Sequence, residues 1–307
     1  MLIDFYYKYK NISDWNQKQI KSLIKDLKNQ WKIEGWRISA NELEDNLKNA
    51  IIHDFEDVFK LISLHYKSAF HKDEIRLVMD KNPIYSIYVK KLINIFPEAK
   101  FIHLVRDYRD NILSVSQLDF EASSAALLAY RWHYVNKKIL QLSEQYPERI
   151  FLLKYENLIE KPEMTIKNVC DFLNIQYQPQ MIHFRDKKDD ISDIFGTKEF
   201  NKYFKKLFDP IDSENQQKWK KSLTTNQIIN AEYLAAETGK HFNYQRSIDC
   251  FPWYMSIKTV WAKIYGNLWF QLKYLYDQLP FKVKKTLFVP NSFAGIYHLF
   301  SSNKSKN

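Results

Sequence analysis

Glycine is rare in this chain, with five in 307 residues: Gly35, Gly196, Gly239, Gly266 and Gly295. None sits between a strand-like run and a helical one, so the sequence holds no loop able to wrap consecutive backbone amides around a phosphate. Cysteine is rarer still. Cys170 and Cys250 lie far apart and outside any C-x-x-C pattern, which argues against a disulfide framework or a zinc site and is compatible with a reducing cytoplasm. No run approaches the ~18 apolar residues of a membrane span. Met1 to Lys10 alternates apolar, aromatic and charged residues where a secretory leader needs an unbroken apolar core. These absences lead to the expectation of a cytoplasmic protein, peripheral to a membrane at most.

What is abundant is lysine, which supplies 38 of the 46 basic residues behind the net charge of +10. The excess is uneven. Residues 251–307 carry eight lysines and one acidic residue, a net +7, which leaves +3 for residues 1–250. A charge confined to the tail argues against nucleic acid as a partner. Composition shifts near Arg246 to Phe251, giving expected domains of 1–248 and 249–307, the latter a basic, aromatic carboxy-terminal extension. Within it Ile257, Trp261, Ile264, Tyr265, Leu268, Leu272, Leu275 and Leu279 share one face of a helix that ends before Pro280. Two readings stand for that helix: packing on its own domain or a partner, or peripheral membrane contact through residues 251–280.

Residues 99–114, A-K-F-I-H-L-V-R-D-Y-R-D-N-I-L-S, carry the densest functional signal. Phe101 to Val105 reads as a buried parallel strand, closed by charge at Arg106. Asp107 to Asp110 can open a helix whose first amides attract anions, and Ser114 falls about two helical turns beyond Arg106. An arginine fork and a hydroxyl in that arrangement suit one phosphate. This segment resembles the 3′-phosphate-binding motif of sulfotransferases that use 3′-phosphoadenosine 5′-phosphosulfate. The family usually has R-D-P-R-D there, and Tyr108 stands where proline is common. Asp80-Lys81-Asn82-Pro83 and Phe96-Pro97-Glu98-Ala99-Lys100 resemble the family's K-x-P and F-P-x-A-K signals. Tyr155-Glu156-Asn157-Leu158 with Lys161-Pro162-Glu163 resembles its Y-E-D-L…P-E segment, and Trp219-Lys220-Lys221 its late W-K element. Pro162 and the Thr224/Gln227 pair read as helix starts.

The resemblance implies an α/β fold: a three-layer sandwich around a parallel sheet of the P-loop-containing nucleotide hydrolase-like type, with strands near 75–79, 100–105 and 150–154 and an α-helical carboxy-terminal extension. It implies transfer of a sulfuryl group from 3′-phosphoadenosine 5′-phosphosulfate, as cosubstrate and without a metal, to a hydroxyl or amine of a glycan, lipid or small molecule. Arg106 and Ser114 would hold the nucleotide, with Tyr155, Trp219 and Lys220 near it. Lys81 would face the reacting sulfate, or is a solvated lysine at a strand end. Tyr155 and Trp219 read equally as packing, and Arg109 either supports the phosphate or forms a surface ion pair. The base would come from Glu42, Glu44, His53 or Asp54, each of which also reads as a solvated helix residue. His103 reads as a hydrogen-bonded core histidine, and His133 could serve either purpose.

The family's first strand and phosphosulfate loop have no counterpart here, because upstream of Asp80 the pattern is helical. Trp15, Ile20, Leu23, Ile24, Leu27 and Trp31 recur at helical spacing, as do Leu43, Leu47, Ile51, Phe55, Val58, Phe59 and Ile62, with Ser39 and Glu42 as a capping box. The expectation is therefore an amino-terminally truncated member. A start assigned too late, a frameshift, and a short protein with another role all stand open. The alternative function is a noncatalytic relative that keeps a 3′-phosphate-binding or membrane-contact surface. Residues 174–223 would cover the site as an irregular segment.

Overall fold

A computed structural model of the chain describes residues 2–29, 38–66, 75, 77–118, 121–183, 215–280 and 283. The chain divides into two units, one of residues 1–84, 91–97 and 183–210, the other of residues 85–90, 98–182 and 211–307. The first contains four whole α-helices among its described residues, α1 (Leu2–Tyr9), α2 (Gln17–Lys28), α3 (Ala40–Asn49) and α4 (Phe55–Leu64), besides most of a fifth. The periodic apolar positions form its core, with Ile20, Leu23, Ile24, Leu27, Leu43, Leu47, Phe55, Val58 and Ile62 buried. Ile51 departs from the pattern and is exposed, because α3 ends at Asn49 and takes it out of helical register. Trp31 lies outside the described residues. Inside this unit Asp26 is buried and receives the Tyr9 hydroxyl at 2.7 Å and the ammonium of Lys8.

The expected strand at Ile75 to Met79 is absent from the described residues of that stretch, 75 and 77–79. Leu77, Val78 and Met79 are exposed and without regular structure. A strand is defined by the backbone it pairs with, and no described residue pairs with this one. An apolar, β-prone run is insufficient without that neighbour.

The second unit is built on two parallel strands, β1 (Phe101–Val105) and β2 (Ile150–Lys154), paired from Phe101 opposite Ile150 to Val105 opposite Lys154. Both were expected from their apolar runs. Between them run α6 (Tyr108–Val115) and α7 (Ala125–Gln145). Helix α5 (Val89–Ile95) precedes β1 in the chain, and its residues 91–95 belong to the first unit. After β2 come α8 (Tyr155–Glu160), α9 (Pro162–Leu173), α10 (Trp219–Ser222), α11 (Thr225–Lys240) and α12 (Met255–Gln278). Strand, crossover helix and parallel strand make this an α/β arrangement. Pro162 opens α9, and Asn174 ends it in the left-handed conformation at φ 58°, which lets the Ile175 amide reach the Cys170 carbonyl at 3.0 Å. Thr224 and Gln227 form the expected capping box of α11.

The central helix is α7, which buries Leu127, Leu128, Tyr130, Trp132, Val135 and Ile139. His103 of β1 meets the side chain of its Asn136 at 2.8 Å, so His103 is the hydrogen-bonded core histidine that its strand position suggested. His133 faces α11, 2.7 Å from the Thr238 hydroxyl. Burial, and then Lys137 and Lys263, push its imidazole down to about 4. An unfolded chain takes up that proton near 6.5, so between those values the unfolded state holds more protons. Stability is therefore complete above pH 6.5 and is lost as pH falls through 4. After allowance for partial solvent screening the loss is about 1–2 kcal/mol. Burial lowers His103 in the same direction. Melting temperatures at pH 7 and pH 5 should differ accordingly, and His133→Gln should flatten that dependence.

Helix α12 approaches α7 at Gly266. A Cβ there would fall 2.3 Å from Cδ1 of Tyr130, whose ring cannot swing away because its hydroxyl donates to Asn267 at 2.8 Å. Gly266→Ala should gain about 1 kcal/mol of helix propensity and lose more to overpacking, a net loss of about 1–2 kcal/mol. Thermal unfolding of the variant checks this. The residues assigned to a separate carboxy-terminal extension, as far as they are described, are packed within the second unit through the inner face of α12.

Candidate functional site: the carboxyl end of β1

The backbone of Arg106 is held as it leaves β1, because the indole N–H of Trp132 donates to its carbonyl at 3.1 Å. Its guanidinium lies over the ring of Tyr155, 4.6 Å from the centroid, and Nη2 donates to the Asn215 carbonyl at 2.6 Å. The Asn215 side chain donates to the Tyr155 hydroxyl at 2.8 Å, closing a triangle of three residues. Nε of Arg106 is buried and has no partner among the described residues. An orphaned donor of this kind costs about 1–3 kcal/mol, more when charged, which a bound anion would recover. Tyr155 opens α8 directly after β2, so the parallel register brings arginine and aromatic platform side by side.

Behind this triangle the motif's second half is turned inward. Arg109 is buried, not a surface ion pair: it is 4% exposed and meets Asp107 at 2.7 Å and Glu232 at 2.7 Å. The Asp107 carboxylate accepts the Arg109 amide at 2.9 Å, and the Asp107 amide donates to Glu156 at 3.0 Å. The start of α6 is therefore capped by its own carboxylate and is not the open anion site expected from Asp107 to Asp110. Glu156 also accepts the Tyr244 hydroxyl at 2.7 Å. Asp110, fully buried, accepts the amides of Gln217 at 2.6 Å and Trp219 at 3.0 Å. Burial pushes its carboxyl above the usual range, and those two amides oppose the shift. Asp110 thus ties the segment carrying Asn215 to α6.

Tyr108 occupies the position where proline is favoured at the start of a helix. It is completely buried, 5.4 Å from the Trp132 ring and against Gly239, where a Cβ would fall 2.7 Å from its Cε1. The missing side chain at Gly239 makes room for the larger residue.

Of the residues singled out in the sequence, the structure brings Arg106 and Tyr155 together. Trp219 is buried one layer away, its ring 4.0 Å from the Arg109 guanidinium, so in this structure it packs on the motif's brace. Lys220 is exposed and its ammonium donates to Gln217 at 2.6 Å. Ser114 is exposed on α6. Lys81 is exposed and belongs to the first unit, as do the four base candidates. There, Asp54 caps α4 by accepting the Asp57 amide at 3.1 Å, Glu44 pairs with Lys48 at 3.0 Å, and Glu42 and His53 are exposed. Residues 184–214 of the expected covering segment lie outside the described residues. Asn215, Asp110 and Glu232 were not anticipated. Only the two acidic residues inside R-D-Y-R-D hinted at an internal brace.

In open α/β sheets, ligands bind beyond the carboxyl ends of the strands, which is where Arg106 and Tyr155 stand. The described chain is thus an α/β protein with an arginine-bearing site at a strand end. Residues 8–179, more than half of the chain, match the model of the sulfotransferase family, and the chain belongs to that family. It is 30% identical over 118 residues to the omega-hydroxy-beta-dihydromenaquinone-9 sulfotransferase of Mycobacterium bovis, covering 33% of this chain and 29% of that one. It is 25% identical over 124 residues to the protein-tyrosine sulfotransferase of Drosophila melanogaster, covering 38% and 25%. The matched stretch spans about half the length of two nematode relatives, 44% in Caenorhabditis briggsae and 51% in Caenorhabditis elegans. Among solved structures, the sulfotransferase domain from the curacin biosynthetic pathway aligns with a TM-score of 0.48 at 19% identity, over 81% of this chain and 85% of that one. No helix among the described residues is long and apolar enough to cross a membrane.

Proposed function

We propose that the protein transfers a sulfuryl group from 3′-phosphoadenosine 5′-phosphosulfate to an acceptor hydroxyl or amine. The observation that carries this reading is Arg106, stacked on Tyr155 with its Nε buried and unpartnered among the described residues. A phosphate oxygen displacing the Asn215 carbonyl would meet Nε and Nη2 as a fork, the geometry in which arginine binds phosphate best. Ser114 and Lys220 are exposed groups of the same unit and would add a hydroxyl and a cation to the nucleotide. Lys81 would act on the sulfuryl oxygens. In the reaction an acceptor oxygen or nitrogen forms the new bond to sulfur as the bond to the leaving phosphate oxygen breaks. Adenosine 3′,5′-bisphosphate departs and the acceptor's proton passes to a base. The protein's part is to align the two substrates and to stabilise negative charge on the transferring and leaving oxygens.

The names of the relatives suggest two acceptor classes to try first: a tyrosine hydroxyl in a peptide, and the omega-hydroxyl of a menaquinone. The test is transfer from radiolabelled donor to tyrosine peptides, omega-hydroxylated menaquinones and glycans, run beside calorimetric titration of adenosine 3′,5′-bisphosphate. Transfer to any acceptor supports the reading. A folded chain that neither transfers label nor binds the bisphosphate would sink it.

A further inference from the structure

We propose that the outward face of α12 docks on the surface of an anionic lipid membrane; the inference is independent of the nucleotide site. The helix is apolar on two faces. Its inner face, with Met255, Ala262, Gly266, Trp269 and Phe270 buried, belongs to the core of the second unit. Its outer face carries Ile257, Trp261, Ile264, Leu268, Leu272 and Leu275, which are 69, 43, 62, 51, 39 and 58% exposed. Their spacing of three and four residues makes one continuous stripe, about 27 Å long at the rise of an α-helix. A helix whose second face met only water would carry polar residues there. Trp253, 84% exposed, and Tyr254 extend the stripe beyond the amino-terminal end with side chains suited to a membrane interface.

Charge selects the occupant. Residues 251–307 carry eight lysines and a single acidic residue, Asp277. Asp277 is 1% exposed, accepts from the Tyr88 hydroxyl, and pairs with buried Lys273 at 2.5 Å. The exposed face of α12 therefore presents no carboxylate to oppose lipid phosphates, while Lys258 is exposed beside the stripe. A second copy of the chain would bring an equal excess of positive charge to the same surface, so like charges oppose self-association there. An anionic bilayer neutralises the lysines and receives the apolar side chains. With its inner face already packed on protein, the helix lies along the surface and does not span.

The full chain is to be sedimented with vesicles of phosphatidylcholine alone and of phosphatidylcholine mixed with phosphatidylserine, at low and high salt. It should sediment with the mixed vesicles at low salt, lose binding at high salt, and show a blue shift of tryptophan fluorescence. The combined variant Ile257→Ser, Trp261→Ser, Ile264→Ser and Leu268→Ser should retain its circular dichroism and bind at least about tenfold more weakly. The milder Lys258→Glu, which removes no apolar contact, should weaken binding severalfold at low salt. Absence of sedimentation overturns the proposal, as does equal binding to neutral vesicles or binding that neither variant reduces. So does a dimer in analytical ultracentrifugation that the serine variant dissociates, since that would assign the face to a second copy.

Discussion

Replacing Glu232 by alanine should destabilise the second unit by about 3–5 kcal/mol, the cost of leaving one partner of a buried ion pair behind. Glu232 is 1% exposed and accepts from Arg109 at 2.7 Å, from the Ser247 amide and hydroxyl at 2.9 and 2.7 Å, and from the Ile248 amide at 2.9 Å. The substitution thus strands a guanidinium and three neutral donors in one step. Arg109 would keep only Asp107, and the turn at Ser247 that leads toward α12 would lose its acceptor. Against the 5–15 kcal/mol that typically separates folded from unfolded chains, this is a large fraction. A fall in melting temperature of about 10 °C is the expected reading. Glu232→Gln keeps an acceptor for the Ser247 amide and removes only the charge, so its loss should be smaller. If alanine and glutamine cost the same, the charge on Glu232 rather than its hydrogen bonds carries the effect. If neither costs more than about 1 kcal/mol, Arg109 is satisfied by Asp107 and the brace is not what holds α6.

That brace marks where sequence reading stopped. Both strands, the capping box at Thr224 and the long helix before Pro280 were legible because each is set by neighbours a few residues away. Arg109 was not, because the residue that decides its environment, Glu232, is 123 positions distant. The same holds for Asp110, whose role appears only when the Gln217 and Trp219 amides, 107 and 109 positions on, are brought to it. The motif R-D-Y-R-D aims its first arginine at a phosphate and leaves the second open to the same phosphate or to a surface ion pair. In the structure one faces the strand end and the other is consumed in holding it there. Ile75 to Met79 shows the converse error, in which local propensity was right for a strand and no described backbone was available to pair with it. The two-faced character of α12 was half legible: one apolar stripe was visible in its spacing, but not that the protein buries the opposite face.

The strand-end arginine gives the second large effect. Arg106→Ala should reduce the affinity for adenosine 3′,5′-bisphosphate by about a hundredfold or more, two charge-assisted hydrogen bonds at about 1.5–3 kcal/mol each being enough to take the calorimetric signal below detection. Stability should change little, since among the described residues Arg106 makes one hydrogen bond through its side chain, to the Asn215 carbonyl, and already leaves Nε unpartnered. Arg106→Lys separates charge from shape. A lysine keeps the positive charge but offers neither the fork nor the flat cation that lies on Tyr155, so about a tenfold loss should remain. Tyr155→Phe keeps the platform and removes only the hydroxyl that Asn215 holds at 2.8 Å, so it should cost the least of the three. A ranking of alanine, lysine and phenylalanine in that order identifies phosphate recognition by a stacked guanidinium. If Arg106→Ala instead binds like the unmodified chain but melts at a lower temperature, the arginine is a clamp on the Asn215 segment and the phosphate is held elsewhere. Either result follows from the same geometry, because a guanidinium with one donor filled and one buried and empty is half committed to the protein.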